Sequence, residues 1–159
     1  MEAFRRLAKR LVTSPVMTKE DRQVVKDILF TMSLDRASFE DLDQKWQGQI
    51  ESEANVLYLQ SVYRDKWQEK QFEYDEEESG ILIDDVPAYG SSGKKITGKE
   101  VKAHLAVHPD LAVKRRELYM YTSLFKDIQS LVKFVFDRNQ KLENVNVNYR
   151  REIKTDERT

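Results

Sequence analysis

Cysteine is absent from this 159-residue chain, so disulfides and thiolate chemistry are excluded. Any metal site would have to use carboxylates and the two histidines. Glycine and proline are scarce, at 5 and 3 residues, so that helices meet few interruptions. No apolar run approaches the roughly 20 residues that span a bilayer. We therefore expect a protein that does not insert into membranes.

Charge and hydrophobicity favour a helix-rich protein. Charged residues make up 35% of the chain and hydrophobic residues 40%. The length suits a single core, and we expect an all-α fold. Residues 1–12 alternate apolar side chains with arginine and lysine, which is unlike a signal peptide. A cytoplasmic location is therefore expected.

The net charge of −1 conceals an uneven distribution. Residues 1–37 carry a net +3, residues 38–79 a net −8 and residues 99–159 a net +4, while residues 80–98 are balanced. The acidic middle and the basic ends should attract each other, within one chain or between chains. Nucleic acid, if bound, would have to use local basic patches.

Residues 1–37 are predicted to form a helical extension. A first helix, about Glu2–Val12, ends at Ser14-Pro15, because the residue before a proline avoids helical geometry. A second helix, about Lys19–Ser33, follows a capping pattern of Thr18 with Asp21. Each has an apolar face. The two faces comprise Phe4, Leu7, Ala8 and Leu11, then Val24, Val25, Ile28, Leu29 and Met32.

Residues 38–159 are predicted to form a long antiparallel helical hairpin. Its first helix begins near Ser38, covers about residues 39–74 and ends in the acidic run before Gly80. Its last helix covers about residues 110–143 and is nearly as long. The linker between them is long enough to reverse the chain direction.

Residues 80–109 are predicted to supply a loop and a short helix. The stretch "GILIDDV" indicates a strand or a packed extended segment, and "PAYGSSGKK" indicates a flexible loop. Thr97 with Glu100 forms a capping box that opens the short helix, and His108-Pro109 closes it.

The apolar residues of the last helix follow steps of three and four over about five heptads, which favours coiled-coil packing, whereas the seam of the first long helix is interrupted by Gln49, Glu53 and Gln60. In the last helix Lys114 and Asn139 are the polar positions of this seam. Its apolar members are Leu111, Leu118, Tyr121, Phe125, Ile128, Val132, Val135 and Leu142. The predicted seam of the first long helix comprises Phe39, Leu42, Trp46, Ile50, Leu57, Tyr63, Trp67 and Tyr74.

A second apolar stripe on the last helix, formed by Val113, Met120 and Phe134, lies far around from the seam. Either the two N-terminal helices or another copy of the chain must cover it, and we expect a homo-oligomer. The predicted oligomer interface comprises Val113, Met120, Phe125, Ile128, Val132 and Phe134.

Catalytic patterns are missing. The chain has no Gly-x-Ser-x-Gly elbow and no glycine-rich phosphate loop. Glu100, His104 and His108 are spaced along one helical face, with Asp110 nearby, but an ordinary polar face explains them better than a metal site. We expect a non-enzyme without metal or cofactor.

Basic residues interleaved with aromatic ones indicate a surface for single-stranded nucleic acid, in which cations contact phosphates and rings stack on bases. Tyr63, Trp67 and Phe72 lie among the lysines of the first long helix, and Tyr89 precedes two more in the loop. The competing interpretation is that the rings belong to the core and the cations are merely solvated. The candidates are Arg64, Lys66, Lys70, Lys94, Lys95, Lys114, Arg115 and Arg116.

Residues 50–148 resemble the UvsY-type recombination mediators of tailed phages. The resemblance rests on "ANVLYLQSVYRDKWQEKQFEY", on "ITGKEVKAHLAVHPDL" and on "LFKDIQSLVKFVFDRNQKLENV", including the turn at His108–Leu111 and the late Arg138. Such proteins have a long helix, a polar loop, a short helix and a long C-terminal helix in this order.

The resemblance implies a non-enzymatic protein that forms ring oligomers and binds single-stranded DNA. Such a mediator loosens the single-strand-binding protein and helps to load a RecA-like recombinase. Lys66 and Lys70 match the family's DNA-contacting positions best, and the C-terminal helix would carry partner and ring contacts. A phage-encoded protein would work in the host cytoplasm.

The alternative is a helical structural or adaptor protein, for example a viral one. Its hairpin would mediate protein–protein assembly without nucleic acid, and its acidic middle helix would dock a basic partner.

Overall fold

The computed structural model describes the backbone of residues 2–33, 42–90 and 93–156, and the side chains of 4–32, 48–90, 93–144 and 147. Within these ranges the chain forms five helices and no strand, so the all-α class is confirmed. The helices are α1 (Glu2–Thr13), α2 (Lys19–Ser33), α3 (Leu42–Asp84), α4 (Gly98–Val107) and α5 (Pro109–Asp156). None of the described helices combines the length and the apolar character needed to cross a bilayer.

The two N-terminal helices match the sequence prediction closely. The side chain of Thr18 accepts a hydrogen bond from the backbone N–H of Asp21 (3.1 Å), as the capping pattern predicts. Leu11 of α1 is fully buried, and so are Val25 and Ile28 of α2 within about 1%. The predicted face of α1 is therefore buried, whereas the predicted face of α2 is buried at Val25 and Ile28 and half-buried at Val24, Leu29 and Met32.

Helix α3 ends later than predicted, because it continues through Gly80 to Asp84. Residues 80–86 were predicted to form a strand or an extended segment, and this prediction was wrong for residues 80–84, which are helical. Gly80 costs about 1 kcal/mol within a helix. Ile81, only 4% exposed, packs with Leu105 and Leu111, and burial of its side chain offsets that cost.

The buried face of α3 also differs from the prediction. Ile50 and Leu57 were expected in the seam, yet they are 57% and 47% exposed. Tyr63 of the predicted seam is fully buried, and the side chains buried with it are Ser52, Val56 and Leu59, which follow helical spacing. The predicted seam residues Phe39, Leu42 and Trp46 lie outside the described side chains, as does the predicted start at Ser38.

Helix α5 buries a stripe that overlaps the predicted seam without matching it. The buried side chains are Leu111, Leu124, Ile128, Leu131 and Val135. Leu124 and Leu131 were not assigned to the seam, whereas the assigned Phe125 and Val132 are only half-buried. The buried positions 124, 128, 131 and 135 alternate steps of four and three, as a heptad does, so the stripe keeps Ile128 and Val135 of the predicted seam and has Leu124 and Leu131 in place of their neighbours. The helix also runs to Asp156, beyond the predicted end at Glu143.

The chain divides into two compact units. The first unit comprises residues 1–61 and 126–159, and the second comprises residues 62–125. In the first unit Arg10 of α1 donates two hydrogen bonds to the carboxylate of Asp127 on α5 (2.7 and 3.1 Å). The side-chain amide of Asn139 donates to Glu53 (2.7 Å) and to the carbonyl of Gln49 (3.3 Å), which ties α5 to α3.

Within the second unit α3 and α5 run antiparallel. The indole of Trp67 stacks on Phe125 (centroids 5.6 Å apart), whereas Ile81, farther along α3, packs against Leu111 near the start of α5. Arg115 donates to the last carbonyls of α4, at Leu105 (3.3 Å) and Ala106 (3.4 Å). This arrangement fixes α4 against the end of the unit.

Candidate nucleic-acid interface

Two of the predicted DNA-binding lysines are already engaged by carboxylates. Lys70 donates to Glu73 (2.6 Å) and lies 3.8 Å from Glu117. Lys114 donates to the other oxygen of Glu73 (2.9 Å). A single carboxylate on α3 therefore bridges two ammonium groups, one of them on α5.

The ionisation of this cluster follows from its geometry. The hydrogen bond from Lys70 is the main cause that lowers the pKa of Glu73, and the bond from Lys114 adds to it. The pKa values of Lys70 and Lys114 are raised, in each case chiefly by the hydrogen bond to Glu73. All three groups are charged at neutral pH, and a phosphate would have to compete with Glu73 for both lysines.

Other predicted cations on the long helices also have local contacts. Arg64 lies 3.4 Å from the carboxylate of its neighbour Asp65, and Lys66 lies over the ring of Tyr63 (4.6 Å). Arg115 caps α4, as described above, and Arg116 is exposed. The structure does not bring these residues together into one basic patch.

The loop before α4 gathers an aromatic ring and two lysines in one small turn. Tyr89 and Lys95 form an isolated antiparallel bridge, and the N–H of Gly90 donates to the carbonyl of Lys94 (2.8 Å). Gly93 has φ +72°, a left-handed conformation that favours glycine. Residues directly opposite in such a bridge have adjacent side chains. The Tyr89 ring, 66% exposed, therefore lies beside an exposed lysine.

Helix α4 adds two exposed lysines, Lys99 and Lys102, that were not among the predicted candidates. Its first turn is held by the predicted capping box, in which Glu100 accepts the N–H of Thr97 (2.7 Å). The pKa of Glu100 is lowered chiefly by that backbone bond, so this carboxylate is occupied at the cap. We call the loop and α4, residues 86–107, the tip. The tip carries four lysines and one acidic residue, and this excess of positive charge can be counted in the sequence alone.

The surface next to the tip has the opposite charge. A hollow of about 410 Å³ is lined by residues of α3, by the loop and by the start of α5. It exposes the carboxylates of Glu73, Glu76, Glu77, Asp84, Asp85 and Asp110, with one lysine, Lys114. Phosphate would be repelled from this hollow, whereas the tip beside it carries an excess of positive charge.

The histidines do not form a metal site with their neighbours. The imidazole Nε2 of His108 lies 3.4 Å from Asp85, and its ring centroid is 6.5 Å from that of His104. Among the described residues no group of three or more His, Asp or Glu side chains is arranged to hold a metal ion.

The predicted interface residues occupy different environments. Ile128 is fully buried inside the first unit, and Phe125 stacks on Trp67, so both belong to the chain's own core. Val113 is 60% exposed. Phe134 is 38% exposed and meets Phe4 of α1 edge to face (5.6 Å). Met120 and Val132 are half-buried.

Comparisons with protein-family models, with curated proteins and with solved structures find no match for this chain.

Proposed function

We propose that this protein is a non-enzymatic recombination mediator that binds single-stranded DNA through the tip. In this proposal it acts as a homo-oligomer in the cytoplasm, which would be the host's if a phage encodes it. It displaces the single-strand-binding protein and helps a RecA-like recombinase to load. The sequence resemblance is the basis for the proposed class of function, and the tip is the proposed DNA-binding surface.

The observation that carries the proposal is the pair formed by Tyr89 and Lys95 on the bridged loop. An exposed ring can stack on a base while an adjacent ammonium contacts the phosphate that follows it. Lys94, Lys99 and Lys102 extend the cationic surface along the backbone path of a strand. Such contacts tolerate any sequence, because every base presents a flat face.

Affinity for each copy is expected to be weak. Few phosphates fit along a loop and a ten-residue helix, and the acidic hollow beside them repels the strand. Several copies that bind one strand multiply their effective affinity without any new contact. An oligomer is therefore part of the proposal rather than an addition to it.

The experiment measures binding of a labelled oligothymidine by fluorescence anisotropy across a salt series. The triple variant Lys94→Ala, Lys95→Ala, Lys99→Ala should weaken binding and flatten the salt slope by about 0.7 for each phosphate contact removed. A matched control, Lys26→Ala, Lys126→Ala, Lys133→Ala, removes three exposed lysines of the first unit and should leave the slope unchanged. Equal slopes for the two triple variants would place DNA elsewhere.

Substitutions of Tyr89 distinguish the contribution of base stacking to binding from that of charge. Tyr89→Ala should cost about 1–3 kcal/mol of binding free energy, whereas Tyr89→Phe should bind like the parent. The salt slope should stay constant in both, because no cation is removed. A Tyr89→Ala variant with unchanged affinity would eliminate stacking from the proposal.

The adaptor remains the second candidate, and the acidic hollow is the observation that favours it. Its carboxylates would dock a basic partner rather than a phosphate chain. If the parent protein binds no single-stranded DNA even at low salt, the mediator proposal fails and the adaptor replaces it.

A further inference from the structure

The first unit has an open apolar groove of about 820 Å³ between α1, the end of α2 and α5. Its floor is apolar, and its sides carry four cationic side chains against one carboxylate. The apolar lining comprises Phe4, Ala8, Val12, Leu29, Phe30, Met32 and Phe134. The charged lining comprises Arg5, Lys9, Arg138, Lys141 and Asp137. We call this surface the basic groove.

Helix α3 presents an exposed apolar ridge in the same unit. Ile50, Leu57 and Tyr58 are 57%, 47% and 54% exposed, and Ala54 lies between them. Positions 50, 54, 57 and 58 share one helical face, which is the spacing by which a helix docks into a groove. Glu51 is exposed at its border. The ridge is therefore an exposed apolar helix face with one exposed carboxylate at its border.

Ridge and groove agree in length and in charge. Tyr58 is eight helical steps beyond Ile50, and Val12 is likewise eight steps beyond Phe4 along the groove wall. Both distances are about 12 Å at 1.5 Å per residue. The carboxylate of Glu51 would meet a wall that carries Arg5, Lys9 and Lys141, and opposite charges on facing surfaces select the partner.

The two surfaces face different sides of the unit. Phe134 of α5 lines the basic groove, whereas Ile50 shares a separate hollow of about 280 Å³ with Phe136. Side chains two positions apart lie about 200° apart around a helix. Among the described residues the ridge and the groove therefore do not cover each other within one copy.

We propose that the ridge of one copy docks into the basic groove of a second copy. The contact is head to tail, since each copy uses a different surface to give and to receive. An open series then has a free groove at one end and a free ridge at the other, so it can add copies or close into a ring. This inference rests on the homo-oligomer of the proposed function, but the interface needs no DNA and lies outside the tip, so its test is independent of DNA binding.

The experiment uses two variants that each destroy one surface, studied by light scattering at tens of micromolar. The ridge variant is Ile50→Gln, Leu57→Gln, and the groove variant is Lys9→Glu, Lys141→Glu. All four side chains are exposed, so circular dichroism should show the parent's helicity. Each variant alone should be monomeric, with self-association weakened at least tenfold.

Mixing the two variants is the decisive measurement. The ridge variant still has an intact groove, and the groove variant still has an intact ridge, so the mixture should form a dimer and nothing larger. A misfolded variant cannot restore its partner in this way. Phe72→Gln and Lys26→Glu change an exposed ring and an exposed lysine outside both surfaces, and they should keep the parent's mass.

Three results would overturn the proposal. A parent protein that is monomeric at tens of micromolar would leave the groove to a different occupant, such as an acidic helix of another protein. Either variant with the parent's mass would place the interface elsewhere. A mixture that stays monomeric would exclude the head-to-tail contact.

Discussion

Each of the two units is stabilised internally by a different kind of contact, although α3 and α5 contribute residues to both. In the first unit α1 and α2 bury a continuous set of aliphatic and aromatic side chains, among them Leu11, Val25 and Ile28. In the second unit much of the contact between α3 and α5 is polar. Trp67 donates a hydrogen bond to Thr122 (3.1 Å), and Glu73 bridges to Lys114.

This difference predicts how each unit responds to solution conditions. Apolar burial does not depend on pH, whereas ion pairs at a surface weaken in acid and in salt. The packing of the first unit should therefore tolerate acid better than the ion pairs of the second. The second unit has a small apolar core, with Ile81, Leu105 and Leu111, and shows most of its charge to solvent. The following variants test that contrast.

The largest effect is expected from Leu11→Ala and Leu111→Ala, which truncate fully buried leucines, one in each unit. Each should cost about 2–5 kcal/mol of local packing. Leu11→Ala should lower the midpoint of global unfolding, because its contacts hold α1 and α2. Leu111→Ala should chiefly release α4, with loss of amide-exchange protection over 98–107.

Hydrogen exchange followed by mass spectrometry distinguishes the two outcomes. Val113→Ala is the control, since Val113 is 60% exposed on the same helix as Leu111 and should change neither quantity. If Leu111→Ala lowered protection in α1 and α2 as much as in α4, the two units would unfold as one and the comparison would fail.

A smaller effect is expected from Thr122→Val in the second unit. The hydroxyl of Thr122 accepts the indole N–H of Trp67 and donates to the carbonyl of Leu118 (2.7 Å). Valine has the same shape but leaves the half-buried N–H without its acceptor, which should cost about 1 kcal/mol in denaturant unfolding. Thr122→Ser retains the hydroxyl and should stay within a few tenths of the parent. Equal losses for both would assign the effect to packing.

The smallest effect concerns pH. Because the pKa of Glu73 is lowered in the folded state, its ion pairs stabilise the protein above the ordinary carboxyl value of about 4.3. That contribution is lost as the pH falls through the lowered value. Glu73→Gln should therefore be less stable than the parent at neutral pH, and the difference in stability should disappear at an acid pH well below the ordinary carboxyl value.

Thermal unfolding at the two pH values measures this gap. Glu76→Gln removes one exposed carboxylate from the same helix and is the matched control. A gap between the Glu73→Gln variant and the parent that persists unchanged in acid would mean that Glu73 acts through packing.

The sequence by itself determined most of the secondary structure, because local rules apply there. A proline stops α1, Thr18 caps α2, and the reciprocal bonds of Thr97 and Glu100 open α4. Each depends on residues within three or four positions of one another, which is the range that a sequence pattern expresses. The all-α class follows from the same local information, together with the scarcity of glycine and proline.

Only the tertiary structure decided which apolar residues are buried. Ile50 and Leu57 fit a seam as well as Val56 and Leu59 do, since two faces of α3 carry apolar residues. The choice depends on what packs against the helix. Helix α3 passes through Gly80 for the same reason, because Ile81 finds Leu105 and Leu111 far along the chain.

The candidate site also has a part that the sequence predicts and a part that depends on tertiary contacts. The sequence identifies Tyr89, Lys94 and Lys95 as a ring beside two cations, and a count of charges in 86–107 would have added Lys99 and Lys102. The pair of Lys70 and Glu73, three positions apart on one helix, is within the range of a sequence pattern. The sequence could not separate Lys114 from the exposed lysines, because its partner Glu73 is 41 positions away. Ion pairs of that kind exist only once α3 and α5 lie side by side.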